Sequence, residues 1–390
     1  MNRLRVEVTL LHGRMLAEMT FYAAAGLLVY TYLLYPLVLA LLPRAHDDRS
    51  GSPPPLEAGP QWPRISVIVA AHDEANTIAR KVQNFFDSTY PGESELLIVS
   101  DGSTDATASI VDGLASERVR LLTQPRQGKG AALNLAVPQA RGEILVFTDA
   151  TSMFAPQTMT ELVRPFADPR VGLVNGRIRY HQAEVANLYH RYEQMLKLLE
   201  ARGGLIATAH GAIYALRREL WCSRDPRLVN DFFDPIFVNL KGAAVALAPR
   251  ALCFEEFAVK TQFKRQVRMV ALAALVYFTV LPDLLHAHLW RSVIVLTSHK
   301  LFRWLTAVWL SLLVATTPGL AAGGGIYRVA LVGEILIAAL AALGPIASRL
   351  GWSERATVFY RFLSLNLAAA IGLWLWLRGR VPVTWEPSGL

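Results

Sequence analysis

The chain has 390 residues, of which 53% are hydrophobic and 18% are charged, and its mean hydropathy is +0.31. A soluble domain carries about 25% charged residues, so the composition argues against a wholly soluble protein. The formal net charge of +8 does not indicate nucleic acid, because many arginines flank apolar segments, where positive-inside sorting and anionic lipid account for them. Cys222 and Cys253 lack metal-type spacing and are expected to be reduced thiols of a cytosolic domain.

The first apolar segment lies near the start of the chain. Residues 19–42 contain no charge, and this run exceeds the roughly 20 residues that a helix needs to cross a bilayer. A secretory signal is the alternative, but the run is too long for a signal core and no small-residue cleavage pattern follows it. We predict a transmembrane anchor at 15–43 and a polar, proline-rich linker at 44–61.

The middle of the chain alternates between strand-like and helix-like patterns. Short β-branched runs at 65–70, 96–100 and 144–148 are separated by helical stretches near 77–87 and 105–116. This alternation predicts an α/β domain with a mostly parallel sheet covered by helices. We place that domain at 62–265.

The last third is apolar again. Residues 269–281 are too few to span a bilayer and follow Lys264, Arg265 and Arg268, so we predict an amphipathic interfacial helix at 266–289. Three longer apolar segments predict transmembrane helices at 301–320, 328–348 and 356–377. A tail at 378–390 follows the last of them. The loop at 317–326 carries no charge and the next loop is rich in arginine, which places the first outside and the second inside.

Polar residues follow several predicted strands. Ala71, Asp73 and Glu74 follow the first strand, and Asp101 ends the second. Ligands of open α/β sheets bind beyond the carboxyl ends of the strands, where a carboxylate can accept hydrogen bonds from a base or a ribose. The alternative is that a Ser-x-x-Asp pattern here serves only to cap the helix that starts near Asp105.

Two further segments carry charge that suits a nucleotide diphosphate. Lys129 lies between two glycines at a predicted helix start, where it can meet a phosphate; a solvated surface lysine is the alternative. Asp149 ends a strand, and its carboxylate can hold Mg²⁺ or Mn²⁺ because hard cations prefer oxygen ligands.

In this order, these segments resemble the family 2 glycosyltransferases, and more closely the membrane-bound synthases of bacterial exopolysaccharides, hyaluronan-like polymers and cellulose. The resemblance implies the GT-A fold, a Rossmann-like and mostly parallel α/β domain, combined with transmembrane helices. It also implies inverting, metal-dependent transfer from a UDP-sugar. Asp149 would be the first acid of a D-x-D metal motif, and Thr151 stands here in place of the second acid. The residues that it assigns to the nucleotide sugar are Ala71, Asp73, Glu74, Asp101, Lys129, Asn134, Asp149, Gln262 and Arg265.

The resemblance also assigns the acceptor side. Asp231 is the candidate general base, with Gly242 eleven residues after it. Asn230 replaces the acid that the family has beside it, Asp234 is the competing candidate, and helix capping is the alternative for both. Gly211 would let an acceptor sugar approach the backbone closely.

The segment from Gln262 to Gln266 resembles the family's Q-x-x-R-W motif, in which Arg265 would pair with the leaving diphosphate. Gln266 replaces the tryptophan that helps to form the acceptor platform of processive enzymes. The expected function is therefore sugar transfer to a glycan acceptor in exopolysaccharide synthesis, with single-sugar transfer to a polyprenyl-phosphate or glycolipid acceptor as the alternative. A non-catalytic nucleotide-binding or scaffold protein is the rival from another class.

UDP-sugars are cytosolic, which predicts a multi-pass protein of the bacterial inner membrane with its catalytic domain in the cytoplasm. The expected partners are a UDP-sugar, a glycan or lipid-linked acceptor, membrane lipid and a polysaccharide-export protein, and no nucleic acid. One anchor before the domain and three spans after it would leave the end of the chain outside, against the arginines at 378 and 380.

Overall fold

The structure, a computed structural model, describes residues 2–42, 62–180, 188–255, 262–350 and 357–384. The linker predicted at 44–61 and the tail beyond residue 384 lie outside these residues. The chain divides into two compact units. The helix unit comprises Met1–Leu41, Gln262–Ala271 and Leu296–Arg378, and the sheet unit comprises Leu42–Thr261, Leu272–Val295 and Gly379–Leu390.

The described part of the sheet unit contains one eight-stranded sheet. Its strands are β1 Ile65–Ala71, β2 Ser94–Asp101, β3 Val119–Gln124, β4 Ile144–Asp149, β5 Met153–Phe154, β6 Val171–Tyr180, β7 Ile213–Arg217 and β8 Ala244–Glu255. Their order is β3-β2-β1-β4-β7-β6-β8-β5. The first four in that order run parallel, and β7 is antiparallel to both of its neighbours.

The other long elements of the described chain are helices. In chain order they are α1 Asn2–Val29, α2 Tyr35–Leu41, α3 Ile78–Asp87, α4 Thr107–Gly113, α5 Lys129–Ala136, α6 Thr158–Val163, α7 Leu188–Arg202, α8 Asn230–Leu240, α9 Gln262–His286, α10 Trp290–Leu296, α11 Phe302–Trp304, α12 Thr306–Ala321, α13 Ile326–Arg349 and α14 Val358–Leu377. Two π-helical turns, Tyr30–Leu34 and Thr297–Leu301, join α1 to α2 and α10 to α11.

The central strands lie between two apolar cores. Every residue of β1 and β2 is buried, as expected for parallel strands with helices on both faces. Because successive side chains point to opposite faces, Val67 and Val69 pack in one core while Ile68 and Ala70 pack in the other. The same parallel arrangement brings the carboxyl ends of β1, β2 and β4 to one edge of the sheet.

Four of the described helices are long and apolar enough to cross a membrane: Leu11–Leu41, Gln262–His286, Ile326–Ala347 and Val358–Leu377. A fifth candidate is the bent pair Trp290–Trp304 and Thr306–Ala321, whose two arms differ in direction by 54°. The predicted fold class, a mixed α/β sheet with several helices of transmembrane length, is confirmed.

Two segments differ from their predicted form. The sequence predicts one transmembrane helix at 301–320, whereas the structure has the bent pair, which begins earlier and breaks after Trp304. The sequence also predicts an amphipathic interfacial helix at 266–289, because its apolar run at 269–281 is too short to span a bilayer, whereas Gln262–His286 is long and apolar enough to cross a membrane. The structure continues α9 without a break from Gln262 to His286, over 25 residues, because the polar residues before Met269 extend the same helix.

Candidate active site

Asp101 ends β2 and fixes the turn that precedes α5. Its Oδ1 accepts hydrogen bonds from Gln124 Nε2 at 2.7 Å and from the Gln127 N–H at 2.8 Å. Its Oδ2 accepts from the Gly128 N–H at 2.9 Å and from the Arg126 guanidinium at 3.3 Å. These donors fill about the four lone-pair sites that a carboxylate offers, and Asp101 is fully buried. Asp101 therefore holds the turn. Its expected contact with the nucleotide stays a prediction, and that contact would require one of these four hydrogen bonds to break.

The segment after β1 places two more acids at the same edge. Ala71 is buried at the end of β1, and Asp73 follows in a left-handed conformation with φ of 52°. The Asp73 Oδ1 accepts the N–H of Thr104 at 2.7 Å, which ties the loops after β1 and β2 together. Burial raises the pKa of Glu74, and the neighbouring carboxylate of Asp149 raises it further. The two loops thus form an acidic rim.

Lys129 and Asp149 meet at the centre of this edge. Lys129 begins α5 and Asp149 ends β4, and the Lys129 Nζ donates to Asp149 Oδ1 at 2.5 Å and to the Gly211 carbonyl at 3.4 Å. The two side chains are 27% and 36% exposed, so both remain open to a ligand. Since Asp101 takes the N–H groups of Gln127 and Gly128, the ammonium of Lys129 is the group that can meet a phosphate.

Asp231 lies in the first turn of α8 and faces Gly211. A Cβ added to Gly211 would lie 3.0 Å from Asp231 Oδ2, so glycine keeps the space in front of the carboxylate open. The N–H of Ala209 donates to the Asp231 carbonyl at 2.7 Å, which fixes the start of α8 against this segment. Lys129, which is paired with Asp149, and Asp231 therefore both lie beside Gly211.

Asp234, the competing candidate for the base, is enclosed. It is 2% exposed, one oxygen accepts the Tyr214 hydroxyl at 2.7 Å, and the other is ion-paired with Arg224. Asn230 donates to the same hydroxyl at 2.7 Å. Burial raises the pKa of Asp234, and the Arg224 charge opposes that rise. A carboxylate held in this way has no access to an acceptor, so the geometry favours Asp231.

Asn134 contacts the backbone of a neighbouring loop. Its Nδ2 donates to the Arg224 carbonyl at 2.7 Å, and its Oδ1 accepts the Arg224 N–H at 3.4 Å. Nearby, a Cβ added to Gly130 would lie 2.2 Å from the carbonyl oxygen of Pro226. Both residues of α5 therefore fasten the 224–226 segment. The nucleotide contact expected of Asn134 stays a prediction, because its amide is used by backbone.

Sequence reasoning missed Lys81, which lies beneath Asp149. The Lys81 side chain is 1% exposed, and its Nζ donates to the Thr148 hydroxyl at 3.1 Å and to the Ser152 carbonyl. Burial lowers its pKa to about 8. The available signal was the spacing: Ile78, Lys81 and Phe85 share the buried face of α3. Lys81 thus clamps both ends of the turn that carries Asp149.

Sequence reasoning also missed that Arg224 and Tyr214 both bind Asp234. Both side chains are buried around Asp234, and the Arg224 guanidinium also lies 4.2 Å from the ring centroid of Trp221. The sequence contains no signal for this contact, because β7, the loop at 222–229 and α8 come together only in the folded sheet unit.

Gln262 and Arg265 lie in the first turn of α9, in the Gln262–Ala271 part of that helix, which belongs to the helix unit. Their predicted contact with the diphosphate therefore stays a prediction.

A divalent cation fits this site only as an ion shared with a ligand. Among the described residues, no group of three or more His, Cys, Asp or Glu side chains is arranged to hold a metal. Asp149 offers one carboxylate and Thr151 a hydroxyl, in a rim made acidic by Asp73 and Glu74. Mg²⁺ is commonly held by one or two carboxylates and the phosphates of a substrate, and this donor set matches that arrangement.

The comparison with family models identifies the segment that carries these residues. Residues 66–221 match the model of glycosyl transferase family 2. The match begins in β1 and ends just after β7, so it includes Asp101, Lys129, Asp149 and Gly211 but stops before Asp231.

Curated relatives cover the same segment. A beta-monoglucosyldiacylglycerol synthase of Nostoc sp. is 36% identical over 121 residues, which is 30% of this chain and 26% of that protein. An N-acetylglucosaminyltransferase of Mesorhizobium japonicum is 27% identical over 146 residues, which is 36% of this chain and 34% of that protein. The chain thus aligns with about a third or less of the length of these relatives.

A solved structure resembles nearly the whole chain. The mannosyltransferase PcManGT of Pyrobaculum calidifontis, solved with GDP-Man and Mn²⁺, has a TM-score of 0.67 at 21% identity. The likeness covers 94% of this chain and 99% of that protein. At this identity the likeness shows a shared fold.

Proposed function

We propose that this protein is a membrane-bound glycosyltransferase that moves a sugar from a nucleotide-sugar donor to an acceptor hydroxyl, with inversion at the anomeric carbon. The observation that carries the proposal is the position of Asp231. Its carboxylate faces the open space at Gly211, beside a backbone carbonyl that also contacts Lys129. A base and a cation that suits a diphosphate therefore flank one opening.

The reaction needs a proton acceptor on one side of the sugar and charge neutralisation on the other. As the acceptor oxygen attacks the anomeric carbon, the new C–O bond forms while the bond from that carbon to the diphosphate oxygen breaks. Asp231 takes the hydroxyl proton, a role worth about 10²–10⁴ in rate. The Lys129 ammonium stays with the diphosphate, which leaves with the bonding electron pair.

Asp149 would hold Mg²⁺ or Mn²⁺ together with the donor diphosphate. Such an ion would neutralise charge on the leaving group. The acidic rim supports this proposal, because Asp73, Glu74 and Asp149 would otherwise repel a diphosphate. We propose that Arg265 provides a second positive charge for the leaving diphosphate. Gln262, in the same motif, is proposed to bind the nucleotide sugar beside it.

For the donor we propose a UDP-sugar, with a GDP-sugar as the form to test beside it. The proteins named above transfer glucosyl, N-acetylglucosaminyl or mannosyl groups by their names, so the sugar itself must be found by screening. For the acceptor we propose a growing glycan in exopolysaccharide synthesis, acting with membrane lipid and a polysaccharide-export partner. Single transfer to a lipid acceptor is the second candidate, favoured by Gln266 and by the name of the Nostoc relative.

The proposed location is the bacterial inner membrane, with the α/β domain that carries the eight-stranded sheet in the cytoplasm. Nucleotide sugars are cytosolic, and helices of the chain are long and apolar enough to anchor it.

The deciding experiment is nucleotide release by purified protein in nanodiscs, screened over common UDP- and GDP-sugars with Mg²⁺ or Mn²⁺. Release with one donor, abolished in Asp231→Asn but not in the control Asp225→Asn, is the expected result. Asp225 is an exposed acid that pairs with Arg227, so the control removes an equal charge outside the proposed site. Full activity of Asp231→Asn would show that Asp231 is not the general base. Nucleotide binding without turnover for any donor and acceptor would favour a non-catalytic protein.

Product length separates the two acceptor proposals. A ladder of products from one donor supports elongation, whereas a single addition to a lipid extract supports the second candidate.

A further inference from the structure

The segment that follows α14 belongs to the sheet unit. The chain leaves α14 at Leu377, turns at Gly379 with a left-handed φ of 67°, and from there groups with the catalytic sheet. Val381, Pro382 and Val383 are half-buried, whereas Thr384 is exposed. We call residues 379–384 the strap.

The strap packs on the turn that precedes Lys129. Gly128 has a φ of 94°, and a Cβ added to it would lie 3.1 Å from Val383 Cγ1 and 3.2 Å from the Val383 carbonyl oxygen. The Gly128 N–H is the one that Asp101 Oδ2 accepts. Val383 and Asp101 therefore hold the same glycine, one by packing and the other by a hydrogen bond.

This contact has a consequence for donor binding. Lys129 follows Gly128 directly, and its ammonium reaches the Asp149 carboxylate at 2.5 Å. The position of that ammonium depends on the turn. The lysine stem is flexible, so the backbone from which it starts must be held for the ammonium to stay near Asp149. Apolar residues over the turn also exclude water from one side of it, which strengthens the electrostatic interactions there.

We propose that the strap forms part of the donor site, and that Val383 is a positioning residue for the Gly128–Lys129 turn. The proposal rests on the proposed function for the identity of the ligand as a nucleoside diphosphate. The packing of the strap can be tested without that assumption.

The strap also constrains the membrane topology. Because Val383 packs on Gly128, the strap and Glu255 at the end of β8 lie on one side of the membrane, and an even number of crossings separates them. The sequence predicts three spans over this interval, at 301–320, 328–348 and 356–377. The strap therefore requires either that α9 crosses as well or that one of the three does not cross. The arginines at 378 and 380 then lie on the cytoplasmic side, in agreement with positive-inside sorting. If α9 crosses, however, the loop at 317–326 lies inside and the arginine-rich loop after it lies outside, which reverses the assignment made from the sequence. Both groups of arginines lie inside only if 356–377 does not cross.

The first test reads packing and sidedness by thiol labelling of the full chain in sealed vesicles. The variants are Val383→Cys, the neighbouring exposed control Thr384→Cys, and Asp112→Cys, which marks an exposed position on α4 of the sheet unit. We expect residue 384 to label from the same side as residue 112, and residue 383 to label several-fold more slowly. Equal rates at 383 and 384, or labelling of 384 only from the side opposite to residue 112, would overturn the proposal.

The second test measures the affinity of the full chain for UDP and GDP. Val383→Asp should weaken binding about tenfold or more, because a carboxylate placed beside the turn repels the diphosphate. Thr384→Asp adds the same charge at the exposed position and should change affinity by less than about twofold. Equal effects of the two variants, or tighter binding after truncation at Arg378, would contradict a strap that supports binding. If the unaltered protein binds neither nucleotide, the proposed function fails, and the labelling result still decides whether the strap is docked.

Discussion

The ammonium of Lys129 lies 2.5 Å from Asp149 Oδ1, and this pair joins the start of α5 to the end of β4. The two residues are twenty positions apart in the sequence, and the motifs assign each of them to the diphosphate end of a donor. In the folded protein each residue limits how strongly the other can bind a ligand, because the lysine charge is shared between the Asp149 carboxylate and any phosphate that binds. A diphosphate with a divalent cation would satisfy both residues at once.

The coupling of this pair can be measured with a double-mutant cycle. Lys129→Met and Asp149→Asn should each weaken UDP or GDP binding, and the double mutant should lose less than the sum. The expected coupling is about 0.5–3 kcal/mol, as for residues in direct contact, measured by calorimetry with Mg²⁺ present. Strict additivity would show that the pair does not act as a unit in the ligand-binding state.

Asp149→Asn should also weaken metal binding directly. In the presence of nucleotide, the affinity for Mn²⁺, read from its paramagnetic resonance signal, should fall by at least roughly tenfold, which is the smaller loss seen when groups behind metal ligands are changed. Asp112→Asn is the matched control, because Asp112 is an exposed acid on α4. Unchanged Mn²⁺ affinity in Asp149→Asn would place the ion elsewhere.

Gly211→Ala tests the open space in front of the base. The added methyl group would stand 3.0 Å from Asp231 Oδ2, so the carboxylate must move and turnover should fall by about tenfold or more, as expected when catalytic geometry shifts by a fraction of an ångström. Gly113→Ala is the control, because a Cβ there meets nothing within 4 Å. Turnover equal to that of the control would show that acceptors do not approach over Gly211.

Asp234→Asn should act on stability rather than on chemistry alone. It leaves the Arg224 guanidinium, 7% exposed, without its ionic partner, and breaking a buried pair costs about 3–5 kcal/mol. The melting temperature in detergent should therefore drop clearly. Asp231→Asn, at the half-buried position of the same helix, should lose activity with little change in melting temperature. The reverse pattern would exchange the roles of the two acids.

The buried Lys81 predicts a pH dependence of stability. Its pKa is lowered by burial to about 8 from 10.5, so between these values the unfolded chain binds a proton that the folded protein lacks. Folding stability then rises with pH across this window, and below about pH 8 the folded protein carries the full cost of the buried charge. Lys81→Met removes this dependence, so its melting temperature relative to the unaltered protein should fall as pH rises from 7 to 10.

The control for that series is Arg80→Met, an exposed change on the same helix. The difference in melting temperature between Arg80→Met and the unaltered protein should not vary with pH between 7 and 10. A pH-independent difference for Lys81→Met would show that this lysine keeps its charge throughout the range.

The sequence by itself determined the α/β class, the helices of transmembrane length and the edge of the sheet at which the candidate site residues meet. It could do so because these features follow from local patterns: apolar runs of bilayer length, alternating β-branched and helical stretches, and acids after Ala71 and at Asp149. Parallel strands then bring their carboxyl ends together without any further information.

Only the tertiary structure decided which acids are available. The motif match favours Asp231 and leaves Asp234 as a competing candidate. In the structure the two acids differ because Tyr214 and Arg224 bind only Asp234. Asp101 and Asn134 match a nucleotide motif, yet their polar atoms are used by backbone groups more than twenty residues away in the sequence. Burial and hydrogen-bond saturation are properties of the packed chain, and a side chain becomes available to a ligand only where packing leaves its polar atoms unfilled.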